Sequence, residues 1–548
     1  MAYRGADALV ATLANAGVRH LFTLSGNHVM PVFDATIGTG VELLHTRHEA
    51  ATVHMADAWA RLTGEVGVAL VTGGPGHANA VSALYTALMN ESPVVLISGH
   101  APLAQLGQGA FQEMRQADMA APVTKASWMC ESADNVAADL ARAMRVARSG
   151  RPGAVHLSVP TDALEASVSK VPMVPVVPAN TANGGAPDGS RRLADADADA
   201  IVARMRKSSR PLILTGPGSM TRAARERCRG LADDSGVPVV GMQSPRGIND
   251  PALGAFAEML AQADCVLLLG KRLDFTLKFG KPPALDAACE FLLIDAAPAD
   301  IERAQRLLGT RLVLHREAGA ASAIEALTSA ARRTPPSAGI WRADVEQALA
   351  HRPAAWDQAR SPAAERLHPV QACRALQPLL DSHPDSVLVC DGGEIGQWAQ
   401  ACLRAPNLVV NGPAGAIGVG IPFALAARLA RPDAPVVAVM GDGSAGFHIA
   451  EYDTAVRYGL PFVGVVGNDA RWNAEYQIQL NDYGPGRTVG CELRPARYDA
   501  VVAAFGGHGE MVDDATALAG AVARAHAAHL PACLNVMIEG VAAPVVRR

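Results

Sequence analysis

The chain has 548 residues, with 48 Lys and Arg against 53 Asp and Glu, a formal net charge of −5 with His neutral. That mild acidity argues against a general nucleic-acid binder, which carries a basic excess, and 49% apolar residues argue against a disordered or fibrous chain. Aromatic residues are few (11 Phe, 7 Tyr, 6 Trp) and Gly reaches 51, a balance that suits layered α/β domains with buried parallel strands and glycine turns. The 9 cysteines contain no C-x-x-C pair, so neither a disulfide framework nor a structural zinc site is expected, and a reducing compartment fits. The N-terminus lacks an apolar signal core. The longest apolar run, 414–427, is broken by glycine and proline, too short for a membrane span. A cytoplasmic setting with no membrane or nucleic-acid partner is the expectation.

In chain order, strands are predicted at 21–24 and 41–46. Gly26-Asn27-His28 follows the first, and Arg47-His48-Glu49 the second, leading into a helical pattern over 50–61. Apolar runs at 66–71 and 94–97 read as buried strands, joined by a glycine-rich loop, 73–79, and a helix over 77–90. Such β-α-β units imply a parallel sheet. Residues 171–192 hold four prolines and read as a linker. The second block alternates again, with strands at 212–214, 237–240, 266–269 and 291–294, and a variable stretch at 331–367 follows. Further strands are predicted at 386–389, 435–440 and 460–466, with a helix over 446–458. The fold class is α/β, as three doubly wound parallel-sheet domains at 1–170, 193–330 and 368–548.

The third block carries the most informative chemistry. The strand ending at 440 runs into Gly441-Asp442-Gly443-Ser444, and the next strand ends at Gly467-Asn468-Asp469. A right-handed β-α-β unit puts both strand ends on one edge of the sheet. Asp442 and Asn468 then converge as a carboxylate and an amide oxygen, a hard-oxygen pair suited to Mg²⁺ with phosphate oxygens completing its shell. The glycines permit close approach to a phosphate, and a helix N-terminus favours its charge.

This arrangement resembles the signature of thiamine-diphosphate enzymes, in which G-D-G is followed about 25 residues on by an Asn at the metal. The resemblance assigns Gly441, Asp442, Gly443, Ser444 and Asn468 to the cofactor, with Asp442, Asn468 and the Ala470 carbonyl as metal ligands. Gly467 stands where the family has a first Asn. The stretch Cys390-Asp391-Gly392-Gly393-Glu394-Ile395 resembles the second diphosphate loop, with Glu394 and Ile395 in place of Gln and His. A carboxylate would repel phosphate, so backbone contacts from Gly393 to Ile395 are implied instead. Gly415 and Ile417 match the stretch that holds the cofactor bent, Ile417 being the wedge between its rings. A bent thiamine cofactor needs one carboxylate at its pyrimidine ring, which supports the tautomer that removes the thiazolium proton. Glu49 in His-Glu-Ala-Ala resembles that residue in the acetolactate synthase and benzaldehyde lyase branches; by position alone it reads as a first-turn carboxylate serving the helix dipole. Pro75 and Asn79 match the loop over the pyrimidine.

For the substrate, His28 matches an active-site histidine of benzaldehyde lyase, and Gln112 a residue near the acetolactate synthase pocket. Asn27, Trp472, Glu475, Tyr476 and Gln479 are pocket candidates that read equally well as packing residues. Arg246 and Lys278 are candidate clamps for a substrate carboxylate. Loops 216–219 and 270–274 resemble family loops found with and without flavin, so FAD is left unassigned. The expected activity is acetolactate synthase-like, decarboxylation of a 2-keto acid and carboligation to a second carbonyl. The alternatives are an acyloin or 2-hydroxyacyl lyase and, in another class, a non-catalytic cofactor binder. The family implies a homodimer or homotetramer with sites built between subunits. An NAD-dependent Rossmann enzyme is disfavoured, since no G-x-G-x-x-G with its acidic partner follows the first strand of any block.

Overall fold

The computed structural model describes residues 3–169, 191–333 and 339–548. The predicted linker therefore lies outside the described residues except for 191 and 192, as does 334–338 of the second variable stretch. The chain divides into two compact units, Met1–Asp188 with Leu425–Ala430, and Gly189–Ala424 with Arg431–Arg548.

The first unit carries a six-stranded sheet of β1 (His20–Thr23), β2 (Glu42–His45), β3 (Gly67–Val71), β4 (Val94–His100), β5 (Ser127–Met129) and β6 (Val155–Pro160), in the order β2-β1-β3-β4-β6-β5. Every pairing is parallel. β3, β4 and β6 are buried along their whole length, as strands covered by helices on both faces must be.

The second unit holds two sheets. One comprises β7 (Pro211–Thr215), β8 (Val239–Gly241), β9 (Cys265–Leu269), β10 (Glu290–Asp295) and β11 (Leu312–Glu317), in the order β11-β10-β9-β7-β8. Its two faces separate by the strand period of two. Leu212, Leu214, Val266, Leu268, Phe291 and Leu293 enter one core, while Ile213, Cys265, Leu267, Leu269, Leu292 and Ile294 enter another. The other sheet comprises β12 (Val387–Cys390), β13 (Asn407–Val410), β14 (Val436–Gly441), β15 (Val463–Asn468), β16 (His508–Val512) and β17 (Ala532–Met537), in the order β13-β12-β14-β15-β17-β16. This is the topology of the first sheet repeated. In both, the order reverses between a first and a third strand, β1/β3 and β12/β14, and crevices for ligands open at such reversals beyond the carboxyl ends of the strands.

The helix predicted over 446–458 is two helices, Asp442–His448 and Glu451–Arg457. The first begins at once because extended Gly441 serves as its N-cap. At the break Tyr452 N bonds Ile449 O and Asp453 N bonds Ala450 O, three-residue spacings that tighten the backbone and end the i→i−4 ladder. The helix expected from residue 77 starts earlier, as Pro75–Met89, because proline suits the first helical turn.

Candidate active site

In the first unit, β2 leads through Thr46 into the helix Glu49–Thr63, where His48 caps the end by accepting from the Ala50 amide at 3.1 Å. Glu49 is thus the first residue of a helix, at its positive end. Asn79 Nδ2 donates to Glu49 Oε2 at 3.0 Å, so the amide fixes one carboxylate oxygen. Glu49 is half-buried, and Asn79 and Pro75 are exposed. At the β1/β3 reversal His28 is 3% exposed. Its Nδ1 meets Thr72 Oγ1 at 3.1 Å and its ring stacks on Phe111 at 6.0 Å. Burial holds its pKa below the usual histidine value, against the pull of the Phe111 backbone, which keeps the ring neutral at pH 7. Gln112 adopts a left-handed φ of 57° beside Gly74. Asn27 is exposed at the start of the same loop.

The sequence reading assigned no role to Gln116, which is fully buried and organises this edge. Its Oε1 accepts from Gly74 N at 2.8 Å, and its Nε2 donates to Gly99 O and Ser158 Oγ. Below lies a chain of buried polar groups in which His77 Nδ1 and His156 Nε2 both meet Ser98 Oγ, at 2.8 and 3.2 Å.

In the second unit, the register pairs Gly441 with Gly467, so Asp442 and Asn468 leave adjacent strands side by side. Asp442 is 2% exposed, and its Oδ2 is buried without a hydrogen-bond partner. Burial raises its pKa to about 6, and that of Asp469 beside it to about 7. An unpartnered buried carboxylate oxygen next to a second acid is a donor set that a divalent cation fits. Asn468 Oδ1 accepts from Ala470 N at 3.2 Å, and its Nδ2 donates to Asn535 Oδ1 and Ala496 O. Ala470 is held at a φ of 58°. These three residues could therefore hold Mg²⁺.

A cavity of about 210 Å³ opens beside them, lined by Gly393, Glu394, Ile395, Gly415, Ile417, Gly441, Asp442, Gly443 and Ser444 and, among the pocket candidates, Trp472 and Glu475. Two candidates lie elsewhere: the Gln479 amide is spent on both backbone groups of Val489, and Tyr476 lies under the Arg471 guanidinium at 4.3 Å. Lys278 sits on the segment Phe275–Gly280 and does not line this cavity.

The structure answers the question posed by Glu394. Its carboxylate, 8% exposed, accepts from Arg246 at 3.0 and 3.1 Å and from the Ala543 amide. Charge that would repel a diphosphate is neutralised by that pairing. Arg246 was expected as a substrate clamp; its guanidinium is instead engaged by both oxygens of Glu394. The two departures at Ile395 and Gly467 are also one fact. A Cβ at Gly467 would lie 2.7 Å from Ile395 Cγ1 and 2.9 Å from Ile538 Cδ1, so the isoleucine fills the space a side chain at 467 would need. Gly393, at a φ of 87°, caps the helix Glu394–Cys402 and turns its N-terminus toward the cavity.

Asp391 also went without a role in the sequence reading. Fully buried, it accepts from Gly392 N and Gly418 N with one oxygen and from Gly420 N with the other. It ties the loop bearing Ile417 to the loop bearing Gly393. An aspartate before a Gly-Gly pair at a strand end was the available signal. The loops 216–219 and 270–274 end β7 and β9, the reversal of the middle sheet.

Residues 3–119 match the N-terminal TPP binding domain of thiamine pyrophosphate enzymes, residues 198–310 the central domain, and residues 391–536 the C-terminal TPP binding domain. The chain belongs to this family of thiamine-diphosphate-dependent enzymes, those that form and cleave C–C bonds. Proteins of two kinds are among those similar to it. The acetolactate synthase large subunit of Mycobacterium tuberculosis is 31% identical over 543 residues, covering 96% of this chain and 94% of its own. The 2-hydroxyacyl-CoA lyase 2 of Bos taurus is 31% identical over 547 residues, covering 92% and 84%. The 2-hydroxyacyl-CoA lyase of Arabidopsis thaliana is 28% identical over 555 residues, covering 97% and 95%. No described helix is long and apolar enough to cross a membrane.

Proposed function

We propose that the chain is a lyase of the 2-hydroxyacyl or acyloin type, using thiamine diphosphate and Mg²⁺. The observation that carries this reading over keto-acid decarboxylation is the state of the cations. Among the described residues, the basic side chains lining the cavity of the second unit are Arg246 and Arg471. The first is paired through both oxygens of Glu394, and the second covers Tyr476. A keto-acid carboxylate is left there with Arg471 alone, a cation already stacked on a ring, whereas an uncharged hydroxy ketone needs none. The 2-hydroxyl must lose a proton as its C–C bond breaks, and His28 is a neutral imidazole for a hydroxyl that displaces one of its two partners.

When bound, thiamine diphosphate supplies the carbon nucleophile and the electron sink. Asp442, Asn468 and the Ala470 carbonyl would hold the metal, and the Gly393–Ile395 backbone at the helix N-terminus would receive the diphosphate. Glu49, oriented by Asn79, would hold a proton at the pyrimidine nitrogen. Ile417 would pack against the cofactor rings. Gln112 contacts substrate. Glu49, Asn79 and Pro75 stand at a surface that is incompletely covered in one chain, and we assign its cover to a second copy, so the working enzyme is a homo-oligomer.

The test is to offer the purified chain, with thiamine diphosphate and Mg²⁺, a 2-hydroxyacyl-CoA, an acyloin and pyruvate separately. Aldehyde release from a hydroxy substrate with kcat/KM about tenfold or more above that for CO₂ release from pyruvate is expected. Faster CO₂ release would return the chain to the acetolactate synthase-like reading, which a relative at 31% identity over 96% of the chain supports equally.

A further inference from the structure

We propose that Asn535 and Asp499 are positioning residues that fix which end of the Asn468 amide faces the metal, an inference that rests on Asp442, Asn468 and the Ala470 carbonyl being the Mg²⁺ ligands. The register of β15 and β17 pairs Asn535 with Val466, two residues before Asn468. Side chains two apart share a face of a sheet, so the two amides leave adjacent strands on the same side. Both are fully buried, where each polar end needs a partner of the right kind.

An asparagine side chain has an accepting end and a donating end of nearly the same shape, so its neighbours decide which way it points. Asp499, in the first turn of the helix Tyr498–Ala504, is buried. Burial works against its charge, but the bonds from Arg497 and Asn535 outweigh this and hold its pKa below the usual carboxylate value. The Asp499 carboxylate therefore only accepts. Arg497 donates to both of its oxygens, and Asn535 Nδ2 donates to Oδ1 at 3.2 Å. With its nitrogen turned to Asp499 and to Ala496 O, the latter at 2.9 Å, Asn535 must present its oxygen to Asn468. Asn468 Nδ2 donates to that oxygen and to Ala496 O, both at 3.1 Å. The Asn468 oxygen is thereby left on the side of Ala470 N, which occupies one lone pair, and the other lone pair remains for a cation.

The reversed order would aim N–H donors at the metal, which binds lone pairs only. The charge on Asp499 thus sets the polarity of a side chain reached through Asn535. The same segment also steadies the second ligand, since the Tyr498 hydroxyl donates to Asp442 O at 2.9 Å. Partners behind a metal ligand govern how tightly the ion is held, and their removal weakens binding by about 10- to 100-fold.

The experiment titrates the full chain, with thiamine diphosphate present, with Mn²⁺ in place of Mg²⁺ and reads the free ion by electron paramagnetic resonance. Thermal midpoints of the metal-free proteins are taken alongside. Expected are a half-saturation raised about tenfold or more in Asn535→Leu and about threefold or more in the isosteric Asp499→Asn, whose amide gives its oxygen to Arg497 and turns its NH₂ on Asn535. Arg497→Gln leaves the carboxylate an acceptor and should raise the half-saturation less than Asp499→Asn does. An unaltered half-saturation in Asn535→Leu or Asp499→Asn, whatever the midpoints do, overturns the proposal, and so does an equal rise in Arg497→Gln. Asp442→Ala separates this role from the metal site itself. If the parent does not bind Mn²⁺, or Asp442→Ala binds it equally well, the site is misplaced and the positioning role falls with it. If Asp442→Ala loses Mn²⁺ and the Asn535 and Asp499 variants do not weaken it, the positioning role alone fails.

Discussion

At the scale of single residues, the site is a set of side chains whose partners decide their chemistry. Glu49 keeps one oxygen on Asn79 and has the other beside Gly76. Glu49→Gln preserves shape and the Asn79 bond but cannot hold the proton. Turnover is expected to fall about 10²-fold or more, within the range of lost acid–base groups, with the thermal midpoint unchanged; steady-state rates and a melting curve check both. His77 shows the cost of a buried base. Burial lowers its pKa to about 4, and that of His156 beside it well below 6.5. Both are neutral when folded, while the unfolded chain takes up protons near pH 6.5. Stability is therefore fully present above pH 6.5 and is lost as pH falls toward 4. In His77→Gln one such group is gone, so the stability gap between parent and variant should narrow from pH 6.5 to 4 in denaturant melts. Buried carboxylates such as Asp391, raised to about 6, act in the opposite sense in both proteins and cancel from that difference.

At the scale of elements, loops at strand ends work in pairs. Asp391 joins two of them through three backbone amides, and Ile395 occupies the room beside Gly467. Gly467→Ala should destabilise by about 1–3 kcal/mol through overpacking. Ile395→Ala removes the nearer of the two crowding atoms and leaves Ile538 Cδ1, so the double variant should be more stable than the sum of the two by about 1 kcal/mol. Thermal midpoints of the four proteins complete the cycle; strict additivity would contradict the fit described. These pairings were not legible in the sequence. The strand ends and the convergence of Asp442 with Asn468 were, because two apolar runs joined by a helical stretch leave few parallel topologies. The break after His448 was not, since both sides of it carry good helix formers and the ladder fails by hydrogen-bond register.

At the scale of the whole molecule, the first and third sheets repeat one topology, and each brings its own residues to its own reversal point. If a second copy covers Glu49, two inactive variants should complement. Glu49→Gln and Asp442→Ala, dissociated and reassembled together, should recover about a quarter of parental activity, since half of the mixed dimers are hybrids and each hybrid keeps one intact site of two. No recovery in mixtures shown to contain hybrids would contradict the shared site.

The sequence by itself determined the parallel α/β class and the strand-end loops that meet a phosphate and a metal. These depend on backbone periodicity and on neighbours within one β-α-β unit, which spacing along the chain records. The tertiary structure alone decided what Glu394 does, since its partner Arg246 is 148 positions away. It also decided that Gln116 and Asp391 organise the loops. Such pairings arise from packing between distant segments, where burial and the need to satisfy each polar group select partners that no local pattern encodes.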